Sequence, residues 1–285
     1  MKPFIATGIV LPNSSFTIPA DWSEQLYAVC RAAGEVVLAH YQQAEGLEIS
    51  RKSDNSPLTA ADLASNEVVI DALGGLEPRL PIVSEESDPR QFLLPNAARY
   101  WLIDPLDGTR EFIERTGEFT INIALIEGDR SILGAIYAPV SGDFFFGGRG
   151  VAPQITRHGV SQPLACRPLS DDIVAAVSRR RAKSANNFLA SASLVAEYGI
   201  STVTLGSALK FTHVAEGRAD IYPCLGPTGE WDSAAGQAIV EAAGGAVVDL
   251  QGQPLRYGRN PDRINPSFVV LGDAGAWRRA GDVGA

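Results

Sequence analysis

The run YWLIDPLDGTREF, residues 100–112, sets Asp104 and Asp107 three apart behind an apolar stretch, with Gly108 and Thr109 following. Pro105 stops helical continuation between them, so both side chains can project from one strand end into the same space. Glu85 ends a second short apolar run, LPIVSEES; Asp232 opens a helical pattern, GEWDSAAGQAIVEAAGG; Asp62 follows Thr59 in TAAD. Each has an ordinary structural role available. A Pro-containing turn lets Asp bond its own backbone, Asp232 fits an N-cap, and Asp62 fits the acidic half of a capping box. Brought together, the five offer more. Carboxylates within ~4 Å repel by about 4 kcal/mol per pair at an effective dielectric near 20. Divalent cations remove that cost, and an oxygen-only set suits hard Mg²⁺. Two such ions can activate a water and stabilise the leaving oxygen of an in-line phosphoryl displacement.

Composition narrows the alternatives. The 285 residues carry 24 Lys and Arg against 33 Asp and Glu, a formal net charge of −9. That balance argues against a nucleic-acid surface and against an acidic membrane surface, both of which call for a basic protein. An anionic substrate therefore needs a local attractor, and metal ions held by the carboxylates supply one. His40, His158 and His213 are too few and too scattered for a histidine-based site. Cys30, Cys166 and Cys224 lack CxxC spacing and read as core thiols of a reducing compartment, without a disulfide framework or a zinc site. The apolar run at residues 4–11 is interrupted by Thr7 and Gly8 and has no cleavage signal. With no stretch long enough to span a bilayer, the expected location is the cytoplasm. An oligomer is compatible with all of this.

The elements that must position these residues follow from periodicity. Residues 21–43 repeat apolar side chains at helical spacing, with Asp21 and Glu24 as a start signal. A second helix is expected over residues 59–73, stopped by Gly74-Gly75. FTINIALIEG, SILGAIYAPV and DFFFGG read as strands separated by turns, hence an antiparallel sheet backed by the two early helices. The pattern loosens over residues 150–170, and a domain boundary is expected there. Beyond it strands and helices alternate: DIVAAVS, a helix near 186–198, STVTLGS, a helix over 207–216, ADIYPCL, a helix over 232–243, AVVDL and SFVVLG. That alternation predicts an α/β layer with some parallel pairing. Two domains result: residues 1–155, an α+β unit with the antiparallel sheet and most candidate metal ligands, and residues 156–285, an α/β unit contributing Asp232 and substrate contacts. The tail, AWRRAGDVGA, is expected to be loose.

VSEE, WLIDPLDGT and WDSAAG resemble the three signature segments of the lithium-sensitive, magnesium-dependent phosphatase superfamily that includes the inositol monophosphatases. RKSDNSPLTAAD, DPLDGTREFIERTGEFTINIAL, GSALKF and VAEGRADIYPCLGPTGEWD are similar to its CysQ-type branch, the 3′(2′),5′-bisphosphate nucleotidases. The likeness spans about residues 20–272. It implies an α/β (α+β) fold, a layered αβαβα sandwich of the inositol monophosphatase and fructose-1,6-bisphosphatase type. It implies hydrolysis of adenosine 3′,5′-bisphosphate to AMP, a step of nucleotide recycling in sulfur assimilation, with two or three Mg²⁺ per site and inhibition by Li⁺. Glu85, Asp104, Asp107, Asp232 and the Leu106 carbonyl are the implied metal ligands. Asp62 and Thr109 are the implied catalytic pair, accepting the proton of the attacking water. Glu85, Leu106, Asp107, Gly108, Thr109, Lys210 and Asp232 are the implied substrate contacts.

Gly108 and Thr109 can offer backbone N–H groups to a phosphate oxygen if a helical turn starts there. The uncleaved phosphate calls for a cation, and Arg179, Arg180, Arg181, Lys183 and Lys210 are the candidates. Here the chain departs from the branch, whose members carry Ser-Arg-Ser-His where residues 178–181 are Ser-Arg-Arg-Arg. The nearest alternative is another activity of the superfamily, on inositol monophosphate or a sugar bisphosphate. An aspartyl-phosphate mechanism calls for Asp-x-Asp-Gly-Thr near the N-terminus, and here two residues separate the aspartates at position 104. A catalytically inactive phosphate-ligand-binding protein would have lost an acidic ligand, and every expected one is present.

Overall fold

The computed structural model describes residues 16–43, 49–51, 57–87, 98–169, 171–191, 199–273 and 275. The N-terminal apolar run and the C-terminal tail lie outside them. In chain order the elements are α1 (Trp22–Gln42), β1 (Ile49–Arg51), β2 (Pro57–Thr59), α2 (Ala60–Gly74), β3 (Ile82–Ser84), β4 (Arg99–Asp107), α3 (Thr109–Ile113), β5 (Thr120–Glu127), β6 (Arg130–Ala138), β7 (Asp143–Gly148), β8 (Val151–Arg157) and β9 (Val160–Pro163). Then follow β10 (Asp172–Val177), α4 (Ala182–Ser191), β11 (Gly199–Thr204), α5 (Leu209–Ala215), β12 (Ile221–Cys224), α6 (Glu230–Ala242), β13 (Ala246–Asp249) and β14 (Phe268–Leu271).

Strands β3 to β9 form a seven-stranded sheet in sequence order. Only β3 and β4 run parallel; every other neighbouring pair is antiparallel. The second sheet orders its five strands β11-β10-β12-β14-β13, with β10 parallel to β11 and β12. Period-two alternation divides the first sheet cleanly. Trp101, Ile103, Ile121, Ile123 and Leu125 face α1 and α2, whose buried residues include Trp22, Leu26, Val37, Val69 and Leu73. Tyr100, Leu102, Ala124, Ile126 and Ile136 face the other way, onto Ala235, Ile239 and Val240 of α6 and Phe211 of α5. The second sheet closes that middle layer with Tyr222, Phe268 and Val270. Its outer face packs Ile173, Ala175, Val177 and Val269 against Ala185 and Leu189 of α4. The layers are therefore helix, sheet, helix, sheet, helix, the expected αβαβα sandwich.

α6 reaches the first sheet only because position 134 lacks a side chain. A Cβ on Gly134 would lie 2.1 Å from the Ala235 carbonyl oxygen, so helix backbone and strand touch directly.

The structure differs from expectation in four places. The stretch 150–170 carries β8 and β9, a hairpin at the sheet edge. β9 is exposed throughout, so no apolar alternation marked it. The His158-Gly159 pair, both at positive φ (52° and 77°), was the available sign of a tight hairpin turn. At the start of α1, Asp21 makes no side-chain cap and instead accepts from the Gln25 side chain at 2.6 Å. Finally, α4 begins at Ala182, ahead of its expected start near 186, and α6 begins at Glu230, so Asp232 stands in the first helical turn instead of at the cap. The strands divide between Pro163 and Asp172, while the middle core layer is shared by residues from both sides of that division.

Candidate active site

β4 pairs with β5 in regular antiparallel register as far as Asp104 opposite Asn122, then slips before Asp107 opposite Thr120. In an unbroken strand residues three apart point to opposite faces. The bulge at Pro105-Leu106 cancels that alternation and turns both aspartates into one cavity. It is held from both ends. Asp104 Oδ1 accepts from the Leu106 amide at 3.0 Å, and the Pro105 carbonyl accepts from Ser65 Oγ of α2 at 2.7 Å. Leu106 meanwhile buries its side chain on the α1/α2 side.

Glu85 arrives from the end of β3, where its amide donates to the Ile103 carbonyl at 3.1 Å. Asp232 arrives from the first turn of α6, where its Oδ2 accepts from the Gly229 amide at 2.9 Å. One oxygen from each of Glu85, Asp104 and Asp232 lies within 4.8 Å of the other two. Asp104 is buried and the other two are half-buried. Burial, then the charges of Asp107 and Glu85, pushes the Asp232 carboxyl well above the ordinary carboxylate range. Acids crowded in this way, with oxygen as the only ligand atom, form a set that a hard divalent cation would neutralise.

Asp107 lines the same cavity but lies outside that three-way cluster. Its Oδ2 accepts from Ser207 Oγ at 2.7 Å and from Asn122 Nδ2 at 3.3 Å. Gly108 follows at φ +92°, a conformation glycine adopts without strain, and starts α3 at Thr109. Thr109 Oγ1 lies 3.0 Å from Asp62 Oδ1 and 3.4 Å from the Leu106 carbonyl. Asp62 also completes the capping box of α2: its Oδ2 accepts from the Thr59 amide at 2.8 Å and the Thr59 hydroxyl at 2.6 Å. The capping role and the pairing with Thr109 coexist, one on each carboxylate oxygen.

The cavity, about 490 Å³, is lined by Glu85, Asp104, Leu106, Asp107, Gly108, Thr109 and Asp232, together with Arg110, Arg180, Arg181, Ser207 and Lys210. None of the three histidines lines it. Among the five candidate phosphate-binding cations, Arg179 pairs with Glu118 at 2.8 Å and Arg180 with Glu114 at 3.0 Å and Glu111 at 3.5 Å. Lys183 is exposed and outside the cavity lining. Lys210 is buried, and its ammonium donates to the Leu205 carbonyl at 3.4 Å and to the Ser207 carbonyl. Burial lowers its pKa, an effect opposed by the charge of Asp107. Arg181 donates to the Pro227 carbonyl at 2.9 Å and makes no ion pair among the described residues. Arg110 also lacks an ion pair there, though it is exposed. Sequence reasoning missed Ser207, Thr120 and Asn122, whose side chains surround Asp107. Short polar residues in loops and strands carry no periodic signal; GSALKF pointed to the segment but not to the hydroxyl.

Comparison with known proteins identifies the family. The chain matches the inositol monophosphatase family over residues 19–274. It is 42% identical over 248 residues to the 3′(2′),5′-bisphosphate nucleotidase CysQ of Escherichia coli O157:H7, a match covering 87% of this chain and 98% of that protein. The CysQ of Haemophilus influenzae is 32% identical over 257 residues, covering 87% and 92%. The crystal structure of CysQ from Bacteroides thetaiotaomicron, a bacterial member of the same family, has a TM-score of 0.74 at 34% identity, covering 87% of this chain and 97% of that one. Matched by the family model over residues 19–274, and by relatives over 87% of its length, the chain belongs to the inositol monophosphatase family.

Proposed function

We propose that this chain is a metal-dependent 3′(2′),5′-bisphosphate nucleotidase that hydrolyses the 3′-phosphate of adenosine 3′,5′-bisphosphate to AMP and phosphate. The observation that carries the reading is the Glu85, Asp104 and Asp232 cluster opening onto the same cavity as the Thr109–Asp62 pair. Relatives 42% identical over 248 residues and 32% identical over 257 residues are nucleotidases of this name. Glu85, Asp104, Asp107, Asp232 and the Leu106 carbonyl would hold two or three Mg²⁺, all through oxygen. When bound, the cations supply activation of the attacking water and stabilisation of the leaving oxygen.

The chain's own residues do the rest. The Thr109 hydroxyl donates to Asp62 Oδ1, which leaves its lone pairs to accept a proton from the attacking water. Two donations from Thr59 fix the other oxygen of Asp62, so the pair is pre-oriented. The turn at Gly108 has no side chain to block a phosphate approaching the Gly108 and Thr109 amides. Arg181 is the cation best placed for the phosphate that is not cleaved. Its guanidinium occupies the space beside Gly226, where a Cβ would come within 2.6 Å of Arg181 Cζ. One N–H is committed to Pro227, and the rest of the fork has no acidic partner among the described residues. Lys210 adds positive charge from the buried cavity wall.

Phosphate release from adenosine 3′,5′-bisphosphate, inositol 1-phosphate and fructose 1,6-bisphosphate tests the assignment. The expected result is the highest kcat/KM with the nucleotide. Equal or better turnover of inositol 1-phosphate would assign the chain to the inositol phosphatases of the family instead.

A further inference from the structure

Ser207 lies in the turn between β11 and α5, and three of its features converge. Its φ is +51°, in the left-handed region that strains a residue with a side chain. Glycine would sit there without strain. Its hydroxyl contacts Asp107 Oδ2 at 2.7 Å and Thr120 Oγ1 at 2.6 Å. Its carbonyl accepts from the buried ammonium of Lys210.

The direction of the hydrogen bonds follows from the groups. An ionised carboxylate only accepts, so the single Ser207 hydroxyl proton goes to Asp107, and the one Thr120 hydroxyl proton is shared between Ser207 Oγ at 2.6 Å and Asn122 Oδ1 at 2.9 Å. Asn122 adds a second donor to the same oxygen at 3.3 Å. Oδ2 is thereby held by one residue from each sheet's half of the molecule, while Oδ1 has no hydrogen bond among the described residues. Strained backbone persists where its surroundings over-determine it, and such sites cluster at active centres.

We propose that Ser207 is a positioning residue. Held in its strained turn by Lys210, it fixes which oxygen of Asp107 is left for a cation, and so sets the affinity of the site for divalent metal. The inference rests on Asp107 being a metal ligand.

The experiment compares Mg²⁺ binding, by calorimetry without substrate, in the wild type, Ser207→Gly and Ser207→Ala, with metal-free thermal unfolding of each. Ser207→Gly keeps the left-handed turn and removes the hydroxymethyl group, so its metal-free Tm should be unchanged or higher. Its Mg²⁺ dissociation constant should rise roughly ten- to hundredfold, the range for groups that orient a ligand. Ser207→Ala should lose the same affinity. A purely structural serine would alter Tm and leave Mg²⁺ affinity alone. If the wild type binds Mg²⁺ and Ser207→Gly binds it equally well, the positioning role is overturned and the metal site stands. If the wild type binds no Mg²⁺, the metal reading itself falls, and the positioning role with it.

Discussion

Asp62 gives one carboxylate oxygen to Thr59 and the other to Thr109, so its removal has two separable consequences. Asp62→Ala should cost about 1 kcal/mol of stability through the lost capping box and should also lower kcat. Thr109→Ala removes only the partner proposed to handle the proton. It should lower kcat by roughly 10²- to 10⁴-fold, the range for a positioned acid–base group, with little change in Tm. Unfolding curves and steady-state rates on both variants separate the roles, and a full kcat in Thr109→Ala would take Thr109 out of the mechanism. The sequence made capping and chemistry look like rivals at Asp62, because a motif cannot say which oxygen faces which partner. It was equally silent on the arginines. Arg179, Arg180 and Arg181 are adjacent in sequence, and only their partners distinguish them. Arg181→Ala should reduce the ratio of kcat/KM for adenosine 3′,5′-bisphosphate to that for adenosine 3′-monophosphate roughly ten- to hundredfold, the equivalent of a ~1.5–3 kcal/mol charged hydrogen bond. An unchanged ratio would pass the second phosphate to Arg110 or Lys210.

At the scale of elements, the site depends on two local departures from regularity. The bulge in β4 brings Asp104 and Asp107 to one face, and the missing side chain at Gly134 lets α6 lie against β6 with Asp232 at its start. The spacing DPLD and its proline pointed to the first. Nothing near residue 134 pointed to the second, because a close approach between elements about a hundred residues apart leaves no local mark. Gly134→Ala tests it: the new methyl meets the Ala235 backbone, so α6 must move. An overpacking cost of about 1–3 kcal/mol is expected, with weaker Mg²⁺ binding because the shifted helix carries Asp232. Thermal unfolding and Mg²⁺ titration of the variant check both parts; wild-type values in each would mean that the layers have slack the geometry does not show. The main helices and the long strands of both sheets were legible because their apolar faces repeat over many residues. The edge strand β9 was not, since a strand with neither face buried has no such pattern.

The whole molecule assembles the site from parts distant in sequence: Glu85, Asp104 and Asp107 from the first sheet, Asp232 from the middle helix layer, and Arg181 from the second sheet's side. The shared middle core holds these parts in register, and without a cation it also holds like charges together. Mg²⁺ should therefore stabilise the fold as well as support turnover, by about 2.7 kcal/mol at a hundredfold excess over its dissociation constant. The most direct test of the account is turnover of adenosine 3′,5′-bisphosphate measured while the divalent metal is removed and restored. The account predicts that phosphate release stops in excess chelator and returns when Mg²⁺ is added back. Undiminished release in the metal-free protein would contradict it.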